Sequence, residues 1–300
     1  MYSIEKNLKA GVLLSLCLGL PSLALAEQPY RESVPVPNGL YTPAAASSDA
    51  KLTNTWQYWK DPAKLNTEFV GNAKNEWKLN WKFKDAPYNS DLHGGHLAQD
   101  RGEELYKGLN KSGEFANCLG AKNGNLKGLR LTYPHFDKAQ GKVVALEGEI
   151  ERCAAKRGME LEYGSYDNSA ISVYVGAFST GMPINLDVTK EPMKTAFERG
   201  EQTFHLKSGR FNMACATCHV MLVGENLRGQ ISTTHFGDVG HWPTYRSKDE
   251  LQGLHVRFTE CNRNSGTQPL KPGSQPYVDL EVFLTALTNG YPVSLPSTRD

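Results

Sequence analysis

Beyond residue 26 the sequence has no apolar run long enough to cross a membrane, so no spanning helix is expected in the rest of the chain. It has almost no charge excess. Thirty-three basic against 32 acidic residues give a net charge of +1, which argues against a dedicated nucleic-acid binder. It also lacks the polar bias of a disordered chain, with 39% hydrophobic and 22% charged residues in 300. There is no second C-x-x-C, no thioredoxin-like βαβ pattern and no twin arginine.

What is present begins with a targeting segment. Lys6 and Lys9 precede an apolar run from Ala10 to Leu25, and Ala24-Leu25-Ala26 is an A-x-A cleavage site. The run is short for a membrane anchor, and Leu16 before Cys17 is not the small residue that a lipoprotein site wants. Residues 1–26 are therefore expected to be a signal peptide cut at Ala26-Glu27, which predicts a periplasmic location. Loss of Lys6, Lys9 and Glu5 would leave the mature chain with balanced charge.

Five cysteines remain after Cys17: Cys118, Cys153, Cys215, Cys218 and Cys261. An odd number in an exported chain needs an explanation. Cys215-Ala-Thr-Cys218-His219 is a C-x-x-C-H motif, in which two thiols bind haem c covalently and the histidine reaches the iron. A redox pair or half a zinc site are the alternatives.

An internal repeat orders the rest. Ala98-Gln-Asp-Arg-Gly-Glu-Glu-Leu-Tyr106 returns as Ala196-Phe-Glu-Arg-Gly-Glu-Gln-Thr-Phe204. Cys118 corresponds to Cys215. Leu146, Ile150 and Cys153 correspond to Leu254, Phe258 and Cys261. Residues 171–184 match residues 280–293. The four offsets are 98, 97, 108 and 109. The expected fold is mainly α, with two tandem cytochrome c-like domains: residues 91–188 without haem and residues 189–300 with it. The RGE blocks read as short helices, and each last block as a helix stopped by Gly181 or Gly290. Residues 27–90, with Trp56, Trp59, Trp77 and Trp81, form an extension that packs aromatics on the domains or meets a partner. Ala121 and Lys122 stand where Cys218 and His219 stand, so the first copy cannot hold haem c the same way. One haem c in all is expected. Cys118 and Cys153 should then lie close together and form a disulfide, two separate thiols being the alternative.

The second copy has no methionine after His219 except Met221, which is held on the proximal side. Candidates for the second axial ligand are His235, His241, His255 and Cys261. Cys261 has the best case as the odd cysteine, and a thiolate ligand lowers the haem potential. Ser247-Lys-Asp-Glu250 reads as a capping box opening a helix that carries Leu251, Leu254, Phe258 and Cys261. Arg257, four residues before Cys261, would share its face and lower the thiol pKa or hold an oxyanion. A surface ion pair is the plainer role for Arg257. The first copy has Glu149 there.

With Cys215-Ala-Thr-Cys218-His219, Arg257-Phe-Thr-Glu-Cys261 and the duplication, the mature chain resembles the SoxA family, the catalytic subunits of the SoxAX cytochromes of sulfur oxidation. The resemblance implies that Cys261 ligates the iron opposite His219 and carries a persulfide, and that Arg257 lies at the substrate site. It implies an L-cysteine S-thiosulfotransferase that joins thiosulfate to a cysteine of the carrier SoxYZ, electrons passing through haem c to a small partner cytochrome, SoxX. Arg246, Lys248 and Arg263 are weaker candidates for the anion field. Ala121 and Lys122 place the chain with single-haem members, in which a disulfide replaces the first haem. A thiosulfate dehydrogenase that forms tetrathionate and a pure electron carrier are the rival readings.

Overall fold

The computed structural model describes residues 93–222, 226–227, 230–231, 238–246 and 250–299. The expected signal segment, the expected extension with its four tryptophans, His235 and Lys248 lie outside them.

Helix α1 (Gly94–Leu109) is capped by the His93 ring, which accepts from Gly95 N–H at 3.0 Å. A short α2 (Glu114–Cys118) ends on the first cysteine. The hairpin β1 (His135–Asp137) and β2 (Lys142–Val144) leads into α3 (Leu146–Ala155). Ser165 then caps α4 (Tyr166–Ala177) by accepting from Asn168 N–H. The order recurs. Helix α5 (Met193–His205) precedes the C-x-x-C-H stretch. The two-residue strands β3 (Asn226–Leu227) and β4 (Gln230–Ile231) pair next. A second hairpin, β5 (Thr244–Arg246) with β6 (Glu250–Gln252), leads into α6 (Leu254–Asn264). Helix α7 (Gln275–Ala286) starts with Pro276 in its first turn, where no N–H is missed. Finally β7 (Thr298–Arg299) joins β5 in parallel.

In each half the first and last helices, α1 with α4 and α5 with α7, pack together. Both crossings turn on the glycine of the RGE block. A Cβ on Gly102 would sit 2.0 Å from the Ala170 carbonyl oxygen, and a Cβ on Gly200 would sit 2.0 Å from that of Asp279. No side chain fits there, which is why the sequence repeats a glycine in mid-helix despite its cost. The preceding arginine ties each crossing on the outside: Arg101 to Asp167 at 2.9 Å and Arg199 to Asp279 at 2.6 Å.

Each half lends its hairpin to the other. Val143 and Phe136 enter the core of the second half, with Phe197, Phe204, Val282 and Phe283. Leu251 and Tyr245 pack on Ala98, Ala170 and Val173 of the first. The turns after α4 and α7 then bond to each other reciprocally. Gly181 N–H donates to Val293 O and Gly290 N–H to Ile184 O, both at 2.8 Å. Ile184 N–H donates to Tyr291 O at 2.8 Å, and Val293 N–H to Met182 O at 2.9 Å. The two halves are thus related by a local pseudo-two-fold.

Three sequence expectations change in detail. The RGE helices are long, 16 and 13 residues. Helices α4 and α7 stop before Gly181 and Gly290, whose positive φ (83° and 86°) serves the reciprocal turns and not a helix stop. Glu250 and Leu251 lie in a strand, and α6 starts at Leu254 behind Gly253, because pairing with Thr244–Arg246 takes the backbone that a capping box would have used.

Gly102→Ala and Gly200→Ala should each cost about 1–3 kcal/mol, the usual range for overpacking. Gly108, also in α1, is the control, because a Cβ added there would meet nothing within 4 Å. Gly108→Ala should be neutral or stabilising by about 0.5–1 kcal/mol. Thermal melts of the three variants give the comparison, and equal behaviour of Gly108 and Gly200 would contradict the crossing argument.

Candidate haem and sulfur site

The site is built from two segments. Ala214 N–H donates to Thr217 Oγ1 at 3.0 Å, and a single wide helical turn over Thr217–Met221 follows. This presents Cys215, Cys218 and His219 within five residues. Opposite stands α6. Leu254 is buried in the core of this half, and Phe258 and Cys215 both pack against that core, which sets the face that α6 turns inward. Cys261 then faces the motif and accepts a hydrogen bond from His219.

All three sulfurs are half-buried, and none is in a disulfide. Their electrostatics differ. Burial pushes the Cys215 thiol up to about 12, with the Cys261 and Cys218 sulfurs adding to it. Burial and Cys261 also raise Cys218, against the pull of Arg257. Cys261 goes the other way. Burial would raise it, but Arg257 and then the His219 hydrogen bond and charge more than offset this, and the thiol falls below its ordinary value. Arg257 is itself raised, first by the Cys261 thiolate. Its Nη1 donates to Glu260 Oε2 at 2.6 Å, so the plainer ion pair is also made, and the guanidinium is held beside the sulfur.

The first copy holds the same elements with exchanged charges. Glu149 stands at the place of Arg257 and Arg152 at the place of Glu260, and Arg152 Nη2 lies 2.5 Å from Glu149 Oε2. Arg152 also lies 3.6 Å from Cys153 Sγ. Cys118 and Cys153 are joined by a disulfide, with Cα atoms 5.9 Å apart. A cleft of about 440 Å³ lined by Cys118, Tyr133, His135, Asp137, Glu149 and Arg152 opens beside it.

The other candidates fall elsewhere. His241 is fully buried, 4.0 Å from Asp238, and its carbonyl accepts from Ser297 Oγ. His255 is fully buried at the seam between the halves. It stacks on Tyr163, accepts from Gly273 N–H, and its Nε2 lies 3.0 Å from Glu281 Oε2. The repeat places Glu147 at the position of His255 and Ser172 at that of Glu281, and Ser172 Oγ donates to Glu147 at 2.7 Å. Arg246 is buried in β5, and Arg263 is exposed on the last turn of α6. Sequence reasoning missed Glu260, Arg152 and both hairpins. Pro134-His-Phe-Asp against Pro243-Thr-Tyr-Arg was the signal for the hairpins.

The family described as SoxA/TsdA, cytochrome c domain, matches residues 101–184, within the copy that lacks C-x-x-C-H. The L-cysteine S-thiosulfotransferase subunit SoxA of Chlorobaculum tepidum is 31% identical over 230 residues, 76% of each chain. The chain belongs to the SoxA family. The Paracoccus pantotrophus subunit of the same name is 26% identical over 301 residues, covering 96% of this chain and 97% of that one. The crystal structure of SoxXA from P. pantotrophus aligns with a TM-score of 0.59 at 24% identity, over 69% of this chain and 79% of that one, which is a likeness of fold.

A SoxA cytochrome c domain implies haem c. The donors here fit it: two thiols and an imidazole on one short stretch, and a fourth soft donor, Cys261, facing them.

The seam yields a pH prediction. Burial first, and then Glu281, holds the Glu147 carboxyl above the ordinary carboxylate range, against Arg130 and Ser172. A raised carboxylate pKa means that stability falls as pH climbs from the unfolded value of about 4.5 through the folded one. Glu147→Gln keeps an acceptor for Ser172 and removes the titration. It should gain stability relative to the parent as pH climbs above about 5, the range in which the unfolded carboxyl has ionised. Denaturant melts across that window test this, and parallel pH profiles would contradict it.

Proposed function

We propose that this chain is the catalytic subunit of a periplasmic L-cysteine S-thiosulfotransferase, which joins thiosulfate to a cysteine of a SoxYZ-type carrier. Residues 1–26 act as its signal peptide and residues 27–90 as an extension. Residues 91–188 form the haem-less copy, and residues 189–300 the catalytic one. One observation carries the reading: Arg257 and Cys261, one turn apart on α6, face the C-x-x-C-H stretch. An electron carrier needs no guanidinium held beside its ligand sulfur.

Cys215, Cys218, His219 and Cys261 are the residues that would hold the one haem c, the first two by covalent attachment. When bound, haem c supplies the electron sink, and the electrons leave through a SoxX-type partner cytochrome. The remaining chemistry belongs to the chain. Arg257, held by Glu260, positions the sulfonate of thiosulfate through its planar fork. The Cys261 thiolate and the outer sulfur of thiosulfate form an S–S bond with loss of two electrons. The carrier thiolate then attacks that outer sulfur. The new bond joins it to the carrier, and Cys261 leaves as thiolate, a thiol–disulfide-type exchange. The carrier thiol gives up one proton overall. Coupling of two free thiosulfates to tetrathionate would use the same sulfur, and omission of carrier from the assay separates the two.

Cys261→Ala should abolish conjugation while covalent haem remains, because Cys215, Cys218 and His219 are untouched. Arg257→Ala should lower turnover roughly 30- to 1000-fold, as expected for a lost charge-assisted contact in the transition state. Arg257→Lys should recover little. Conjugation by Cys261→Ala at the parental rate would remove the assigned nucleophile and favour a pure electron carrier.

A further inference from the structure

Just before the C-x-x-C-H stretch the chain makes a stiff loop. Ser208 and Met213 exchange backbone hydrogen bonds at 3.0 and 3.2 Å. Arg210 N–H donates to Gly266 O at 3.1 Å and Phe211 N–H to Ser265 O at 3.3 Å, while Ser208 Oγ meets Thr267 Oγ1 at 3.0 Å. Ser265 N–H in turn donates to Cys261 O at 2.9 Å. The loop therefore sits one helical turn beyond the site sulfur. At its tip Phe211 is 57% exposed, the second most exposed large apolar side chain among the described residues. A single exposed aromatic needs no explanation. This one is held out by backbone bonds on both sides, beside the place where chemistry is expected.

The surroundings are basic. Residues 202–224 and 261–278 contain no aspartate or glutamate, but they carry Lys207, Arg210, Arg263 and Lys271, in a chain whose total net charge is only +1. Lys271 reaches Glu162 at 3.5 Å. Lys207, Arg210 and Arg263 make no ion pair with any described residue, and Arg210 and Arg263 are exposed. Unneutralised charge of one sign around an exposed ring is the pattern of a steering surface with an apolar anchor.

We infer that residues 207–213 and Arg263 form the docking platform for the thiol-bearing carrier protein. The carrier meets them with an acidic face and an apolar depression that takes Phe211. This rests on the proposed function and says how the second substrate of that site is brought to Cys261. A small anion such as thiosulfate needs no exposed phenyl ring. A macromolecular partner does, and the rigid loop lowers the cost of ordering the contact.

The test uses the complex of the full chain with its partner cytochrome, thiosulfate at saturation and reduced carrier protein varied. Lys207→Glu/Arg210→Glu and, separately, Phe211→Ala should raise the KM for carrier by about tenfold or more, with kcat and the KM for thiosulfate at parental values. The kcat/KM of the parent for carrier should fall with added salt, and that of the charge-reversed variant should fall less. Unchanged carrier KM in both variants overturns the proposal. So does loss of the partner cytochrome from the purified variants with carrier KM unchanged, which would assign the platform to that partner. A parent complex that conjugates nothing to carrier defeats the proposed function and this inference with it, a result distinct from an active parent with indifferent variants.

Discussion

The rest of the molecule hangs on where one side chain is put. In each half a short hairpin delivers the chain into a helix whose eighth residue is a cysteine, Cys153 in α3 and Cys261 in α6. The crossing of two other helices at a glycine, and the packing of Leu146 or Leu254, leave that sulfur directed at the segment that follows the first helix of its half. In the first half it meets Cys118, and the two are bonded. In the second it meets His219 and lies within electrostatic reach of Cys215 and Cys218. One backbone solution thus brings two sulfurs into a disulfide in one half and leaves three sulfurs unbridged beside a histidine in the other.

The charges around the two sulfurs obey the same logic. A helix offers a neighbour at i−4 and one at i−1, and both halves fill these places with a guanidinium and a carboxylate bonded to each other. The order is reversed between them. Arg257 donates to Glu260, and its charge also pulls the Cys261 thiol down. Glu149 is nearly fully buried, held by both Arg152 and Gln140. Both halves thus tie the cation to a carboxylate, beside a sulfur that is already bonded in the first and beside one outside any disulfide in the second.

Much of this was legible in the sequence because it is local or repeated. C-x-x-C-H is a five-residue pattern, and the i, i+4 spacing of Arg257 and Cys261 needs only a helix. The pairing of Cys118 with Cys153 followed from matching the two copies. What the sequence concealed depends on contacts between distant segments. Ser247 to Glu250 looks like a helix start, but the register with Thr244–Arg246 decides the conformation of Glu250. Gly181 and Gly290 look like helix stops, whereas their positive φ serves hydrogen bonds to the opposite half. His255 looks like a ligand candidate in the sequence, but Glu281 and Tyr163, from two other segments, surround it. Gly102 and Gly200 stand in the repeat in plain sight, but a glycine on a helix does not say whose carbonyl it approaches.

The disulfide of the first half is in place, and a single covalent haem in the second is the proposal that pairs with it. The intact mass of the exported protein, measured without reduction, tests it most directly. The expected species is a chain beginning at Glu27, carrying one haem, and two hydrogens lighter than its fully reduced form, with Cys118 and Cys153 untouched by alkylation until a reductant is added. A mass that includes two haems, or alkylation of Cys118 and Cys153 without reductant, would contradict it.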